Sequence, residues 1–253
     1  MSEHDEQQTL KSIIVWLNEA FDGRFDDCLP ADYFCFDLES SGFKKDTDLI
    51  LSLGHCRVEN NDASHYESVV LDWTVESEFV EPEWLAVRIN HCQRQMGDSF
   101  HGIDMERITR DGTSPRDALG KYCDLFAQAY DEETIVVGHN LYFDISFMEA
   151  ACEEWLLRRV PWNELLAIDT AAIEKAVIVG ISPKPNEAPG AYFRRVRAKR
   201  AKGVRFQLST TCVEKYDLVN KYGLNMSHAH KDPGFDAMLC HLLLQEYRII
   251  AGC

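Results

Sequence analysis

The chain has 253 residues, 45% hydrophobic and 27% charged, with a formal net charge of −16. It is long enough for one large α/β domain with additions, or for two small domains. The acidic balance excludes a general electrostatic attraction to nucleic acid or to anionic membrane. No apolar run approaches the ~20 residues that span a bilayer, and the polar, acidic start MSEHDEQQ is not a secretory signal. The nine cysteines are scattered, odd in number and without a Cys-x-x-Cys pair. Most lie in apolar runs, which reads as reduced thiols packed as small hydrophobes and predicts a cytoplasmic protein. No zinc site is expected, with His91 and Cys92 the pair that leaves one open.

In chain order, Leu10, Ile13, Ile14, Leu17 and Phe21 fall at helical spacing and predict an amphipathic first helix. Residues 1–31 are set apart as an N-terminal helical extension, and 32–253 as the main domain. Strands are predicted at 33–39, 48–58 and 66–74, close enough to form an antiparallel meander. Residues 81–95 read as a helix begun by Pro82. HGIDMERITRDGTSP reads as a loop-like link, and Pro115 begins a helix to about Tyr130. A short buried strand at 134–138 precedes a helix from Leu141 to about Leu157, and a second helical region includes Asp169 and Ile173. Residues 182–207, rich in Pro and Arg, read as an irregular basic insertion, and helices at 208–222 and 235–249 close the chain. This order predicts an α/β fold: a mixed sheet, with an antiparallel meander plus parallel strands, flanked by helices.

Carboxylates recur where apolar residues belong. In YFCFDLESSGF (33–43), Asp37 and Glu39 end an aromatic strand. Residues two apart share a face, roughly 6.6 Å apart along the strand. Asp144 stands four before Met148 at the head of the helical stripe Met148, Ala151, Cys152, Trp155. Asp236 heads the stripe Leu239, Cys240, Leu243, Leu244, Tyr247 in the same way. Each has a plain explanation alone, as a first-turn acid favoured by the helix dipole or a solvated strand end. Four together call for cations, because buried carboxylates must be paired, neutralised or bound, and local spacing fixes no Lys or Arg beside them. Divalent metals take oxygen ligands, and two of them would use four carboxylates.

These motifs resemble those of the Asp-Glu-Asp-Asp exonucleases of the histidine subtype, on an RNase H-like fold. The family's D-x-E-T-T-G stands here as Asp37 to Gly42 with serines for threonines, followed by Ile50 to Gly54 for its I-x-x-I-G. Its G-H-N-x-x-F-D is met by Gly138 to Asp144, and His101 to Ile103 supplies a common H-G-I link. The resemblance covers roughly residues 32–249. The third motif departs: the family sets its histidine five residues before the last aspartate, whereas His230 is six before Asp236. Pro233-Gly234 can absorb the extra residue as a bulge. Asp232, four after His228, is the alternative aspartate, and His228 the alternative base; Asp236 is preferred because it heads the apolar stripe.

The resemblance implies a metal-dependent 3′–5′ exonuclease that hydrolyses single-stranded RNA or DNA to 5′-mononucleotides. Asp37, Glu39, Asp144 and Asp236 would hold two divalent cations, Mg²⁺ or Mn²⁺, and His230 would take the proton of the attacking water. The partner would be a nucleic acid with a free 3′ end, with no membrane involved; a homo-oligomer is left open, as is the choice between RNA and DNA. Leu38, Ser40, Phe43, Asn140 and Phe143 are candidate substrate contacts. Core packing is the plainer role for Leu38, Phe43 and Phe143, and an N-cap for Asn140.

The stretch GAYFRRVRAKRAKGVRF reverses the chain's charge, with no acidic residue from Ala188 to Val213. Arg194, Arg195 and Arg197, with Lys199 and Arg200, are candidates for tracking phosphates; a solvated loop is the alternative. Two other functions compete: a catalytically inactive nucleic-acid-binding module on the same fold, and an adaptor docking through its first helix.

Overall fold

The computed structural model describes residues 3–21, 25–26, 29–30, 32–76, 80–97, 102–200, 207–208, 212–229 and 231–252. Helix α1 (Glu3–Ala20) comes first, then a two-stranded ladder of β1 (Phe25–Asp26) and β2 (Leu29–Pro30). The meander is β3 (Tyr33–Ser40), β4 (Ile50–Glu59) and β5 (Asp62–Leu71). Next come α2 (Pro82–Met96), α3 (Met105–Asp111), β6 (Gly112–Thr113) and α4 (Pro115–Asp131). β7 (Ile135–Gly138), α5 (Leu141–Ala151), β8 (Ala167–Asp169), α6 (Thr170–Val179) and α7 (Pro189–Ala198) follow. Short α8 (Val213–Lys215) and α9 (Leu218–Tyr222) lead to the long α10 (Pro233–Ala251). Strand order is β6-β5-β4-β3-β7-β8. The β5/β4 and β4/β3 pairs are antiparallel and the other three parallel.

The period of two on β3 organises everything around the sheet. Tyr33 and Cys35 face a core built with α1, α6, α7 and α10. Phe34, Phe36 and Leu38 face a second core with α2, α3, α4 and α5. A central strand covered on both sides is apolar throughout, which is why Tyr33 to Phe36 are all buried. α10 crosses β4 at Gly54, where a Cβ would come within 2.0 Å of the Gly234 nitrogen. Only glycine lets the start of α10 sit this close to the sheet.

Several elements differ from expectation for local reasons. β4 and β5 join through Asn60-Asn61, both left-handed (φ 52° and 63°), a tight hairpin that asparagine tolerates, so β5 starts earlier than 66. The link before Pro115 contains α3, capped by Asp104, whose carboxylate accepts the Arg107 N–H at 2.8 Å. Asp169 ends strand β8 rather than lying in a helix. The insertion contains helix α7, begun by Pro189 and anchored by buried Tyr192, Phe193 and Val196. Residues 208–222 break at Asp217, which is left-handed at φ 54°. The helix after Leu141 changes to a wider π turn over Cys152–Leu156. No helix among the described residues is long and apolar enough to cross a membrane.

The face of α1 is already covered: Ile13, Ile14 and Leu17 are fully buried, against α6 and α10. Its apolar stripe therefore offers no docking surface, which removes the ground for the adaptor. Leu17→Ala should cost about 2–5 kcal/mol in urea unfolding, whereas the exposed Val15→Ala should stay within about 0.5 kcal/mol.

Candidate active site

The carboxylates arrive from three elements. Asp37 and Glu39 lie on the α10 side of β3, opposite Gly54 and Ser52 of β4. A bulge after Glu39 then turns the chain. The Ser41 N–H donates to the Leu49 carbonyl (2.8 Å) and its hydroxyl accepts the Leu49 N–H (2.9 Å). Asp48 accepts the Lys44 N–H at 2.8 Å and pairs with Arg88. Gly42 packs on that carboxylate so closely that a Cβ would clash with it. This braced turn presents Phe43, 65% exposed, beside the carboxylates.

Asp236 comes from the first turn of α10. Asp232 caps this helix, accepting the Gly234 and Phe235 N–H groups at 3.1 and 3.3 Å and the Ser68 hydroxyl. The capping role separates Asp232 from Asp236, which turns inward. One ligand oxygen each from Asp37, Glu39 and Asp236 lies within 4.8 Å of the others. Asp144, in the first turn of α5, is buried beside them. Asp169 braces the loop before it: Oδ1 accepts the Asn140 and Ala172 N–H groups, each at 3.1 Å. The Thr170 hydroxyl donates to the Gly138 carbonyl at 3.1 Å and lies 3.0 Å from His139 Nδ1.

Burial is the first cause that holds Asp37, Glu39 and Asp144 well above the usual carboxylate range, and repulsion from neighbouring acids the second. Asp236 raises Asp37; Asp37 and Asp236 raise Glu39; Asp37, Asp169 and Glu39 raise Asp144. Arg107 opposes this weakly at Glu39, and Arg197 at Asp144. Oδ2 of Asp144 and of Asp169 is buried without a hydrogen-bond partner among the described residues. Clustered carboxylate oxygens with an unsatisfied buried atom are the donor set that hard divalent cations take. His91 is exposed and Cys92 buried, and the thiol lies 3.7 Å from the Ser40 carbonyl.

A cleft of about 280 Å³ opens over the acids, lined also by Leu38, Ser40, Phe43, Asn140 and Phe143. Leu38 belongs to the core, and Phe143 packs on Phe147 with centroids 4.7 Å apart. The Ser40 hydroxyl donates to the Gly42 carbonyl at 2.6 Å and so serves the turn. Asn140 does not cap α5 with its side chain as expected: it is left-handed at φ 69°, and its side chain makes no capping bond. On α7, Arg195 is paired with Glu187 (2.6 Å) and donates to the Ser182 carbonyl (3.1 Å). Arg197 lies over the Tyr142 ring, 5.3 Å from its centroid, and Arg194 is exposed. His101, His230 and residues 201–206 lie outside the described residues. His228 is exposed, its ring 6.0 Å from Phe235. Asp169 and Arg107 escaped the sequence reading. Asp169 had a signal in Ala167-Ile168-Asp169-Thr170, a strand end followed by a cap, whereas Arg107 had none.

No family model matches the chain. Ribonuclease T of Yersinia enterocolitica is 30% identical over 167 residues, 63% of this chain and 70% of the relative. That of Citrobacter koseri is 29% identical over 195 residues, 74% and 83%. Among solved structures, zinc-bound E. coli exonuclease I with single-stranded DNA matches with a TM-score of 0.55 at 13% identity. It covers 87% of this chain and 40% of its own, so the chain spans less than half of that protein. The likeness shows a shared RNase H-like fold.

The raised carboxylates yield a signed prediction. A folded value above the unfolded one means that the ionised form opposes folding, so stability falls as pH rises through the folded value. Asp144→Asn should therefore raise the melting temperature of the metal-free protein, at about 2–4 °C per kcal/mol. It should also shrink the gain on adding Mg²⁺ or Mn²⁺. The metal-free difference from wild type should close as pH falls and Asp144 protonates, as read by thermal melts across pH.

Proposed function

We infer the function from one premise: this chain belongs to the ribonuclease T family of Asp-Glu-Asp-Asp 3′–5′ exonucleases. It removes nucleotides from the 3′ end of single-stranded nucleic acid by hydrolysis. The observation that carries this reading is the convergence of Asp37, Glu39 and Asp236 from a strand end and a helix start, with buried Asp144 beside them.

Asp37, Glu39, Asp144 and Asp236 would hold two divalent cations, Mg²⁺ or Mn²⁺. Such cations, when bound, neutralise the phosphate and acidify a water. His230 accepts the proton of the attacking water, a role that rests on the family motif. Phe43 and Phe143, which line the cleft, offer rings to terminal bases, a sequence-tolerant grip. Leu38 and Asn140 border the same cleft. A cleft of about 280 Å³ suits one terminal nucleotide rather than a duplex. Arg194 and Arg197, with Lys199 and Arg200, would steer the rest of the strand. A cytoplasmic location belongs to the same reading, supported by seven free, buried cysteines among the described residues.

Matched RNA and DNA oligonucleotides, single- and double-stranded and blocked at either end, test this reading and decide the sugar preference. Hydrolysis should require Mg²⁺ or Mn²⁺, proceed from a free 3′ end and stop in EDTA. Binding without hydrolysis would instead favour the inactive module, the reading that the lengthened third motif keeps open. Asp37→Asn, Glu39→Gln, Asp144→Asn and Asp236→Asn should each lower turnover by orders of magnitude with the circular dichroism spectrum retained. His230→Ala should cost ~10²–10⁴-fold and His228→Ala little; the reverse order would make His228 the base.

The two arginine roles on α7 separate kinetically. Arg197→Ala should raise KM on long oligonucleotides and flatten its salt dependence by about 0.7 in log–log slope per lost phosphate contact. Turnover at saturation should change far less. Arg195→Ala should leave slope and KM alone while lowering the melting temperature.

A further inference from the structure

The third motif has one residue more between histidine and aspartate than the family pattern, and the fold has to hold that longer loop still. From inside, the Lys231 N–H donates to the His228 carbonyl at 3.0 Å, and Asp232 is fixed by α10 and Ser68. From outside, Arg107 of α3 donates through Nη1 to the Lys231 carbonyl at 2.9 Å. Lys231 directly follows His230 in the sequence. The approach to α3 packs on the same residue: a Cβ on Gly102 (φ 68°) would touch the Lys231 stem at 3.7 to 4.0 Å. Arg107 is itself braced, its backbone N–H bound to Asp104. Its charge also acts on Glu39, opposing the causes that raise that carboxyl. A guanidinium has donors to spare after one carbonyl bond.

We propose that Arg107 is a positioning residue of the hydrolytic centre, which by gripping the Lys231 carbonyl holds the lengthened third-motif loop in register with the carboxylate cluster. This deepens the exonuclease reading and rests on it for its kinetic consequence only. Outer groups that orient a site typically contribute 10–100-fold. A carbonyl bond is replaceable in kind: lysine keeps a charge and a donor but not the fork.

The test compares wild type, Arg107→Ala and Arg107→Lys by steady-state kinetics on a 5′-labelled oligonucleotide and by hydrogen exchange of the 226–240 segment. Arg107→Ala should lower kcat about 10–100-fold with KM within about 3-fold. Arg107→Lys should fall between it and wild type, and added guanidinium should restore part of the Arg107→Ala rate. Exchange at Lys231 to Phe235 should rise in Arg107→Ala while that of the β3 and β7 segments stays unchanged. In a His230→Ala background, Arg107→Ala should add little, because both changes act through one loop. An unchanged kcat, a rise in KM alone, or full additivity with His230→Ala would overturn the proposal. If Arg107→Ala is poorly folded, Arg107→Lys decides: a folded Arg107→Lys with wild-type kcat and wild-type exchange overturns it. If wild type shows no metal-dependent hydrolysis, the exonuclease reading fails; unaltered exchange in Arg107→Ala then independently sinks the loop-holding role.

Discussion

Repulsion among four carboxylates, held where the fold needs apolar packing, is the constraint on which this structure turns. β3 sends its odd residues to the α10 side, so the alternation that buries Tyr33 and Cys35 delivers Asp37 and Glu39 to the same face. α10 must cover that face to complete the core, and its first turn brings Asp236. α5, entered from the neighbouring strand β7, brings Asp144. Asp144 and Asp236 are buried and Asp37 and Glu39 partly so, and the fold keeps a local conflict that a bound metal would relieve. Local conflict inside a consistent fold is where function is to be sought.

The surroundings are built to hold that conflict in place. Gly54 lets the start of α10 approach the sheet, and Asp232 fixes that start through its cap. Asp169 ties the Asn140 backbone to the first turn of α6, so the loop carrying the second motif cannot drift. Glu174 extends the bracing inward: buried in α6, it accepts the hydroxyls of Tyr216 and Tyr247 at 2.6 and 2.7 Å and the Lys215 ammonium at 3.0 Å. A buried acid with three donors is satisfied and structural, in contrast to Asp144, whose Oδ2 has none among the described residues. The same side-chain chemistry thus serves architecture or function according to what its oxygens meet.

Much of this was legible in the sequence because it rests on local periodicity. The strand ending at Asp37 and Glu39 and the stripes behind Asp144 and Asp236 are each readable within about a dozen residues. What escaped depends on contacts distant in sequence. Three residues are too short a run to announce β8 as a strand, and its pairing with β7 makes it one. α7 was hidden by its charge: three cations in ten residues masked the spacing of Tyr192, Phe193 and Val196. Arg107 is 124 residues from its acceptor on Lys231, a separation that no window can see.

The placement of cations answers the difficulty that composition raised. A chain of net charge −16 repels a polyanion at long range, and the clustered acids add to this locally unless a metal offsets them. Attraction must therefore be local, and the arginines nearest the cluster stand on different walls. Arg107 comes from α3, its charge felt at Glu39, and Arg197 from α7 over Tyr142, two residues from Asp144. Arg195, on the same short helix as Arg197, is neutralised by Glu187 and contributes no free charge. Because screening confines exposed charges to about 10 Å at 0.1 M salt, such cations act only on a strand already at the cleft. A single-stranded terminus that enters the cleft would then meet these few positive groups at short range, where screening no longer hides them.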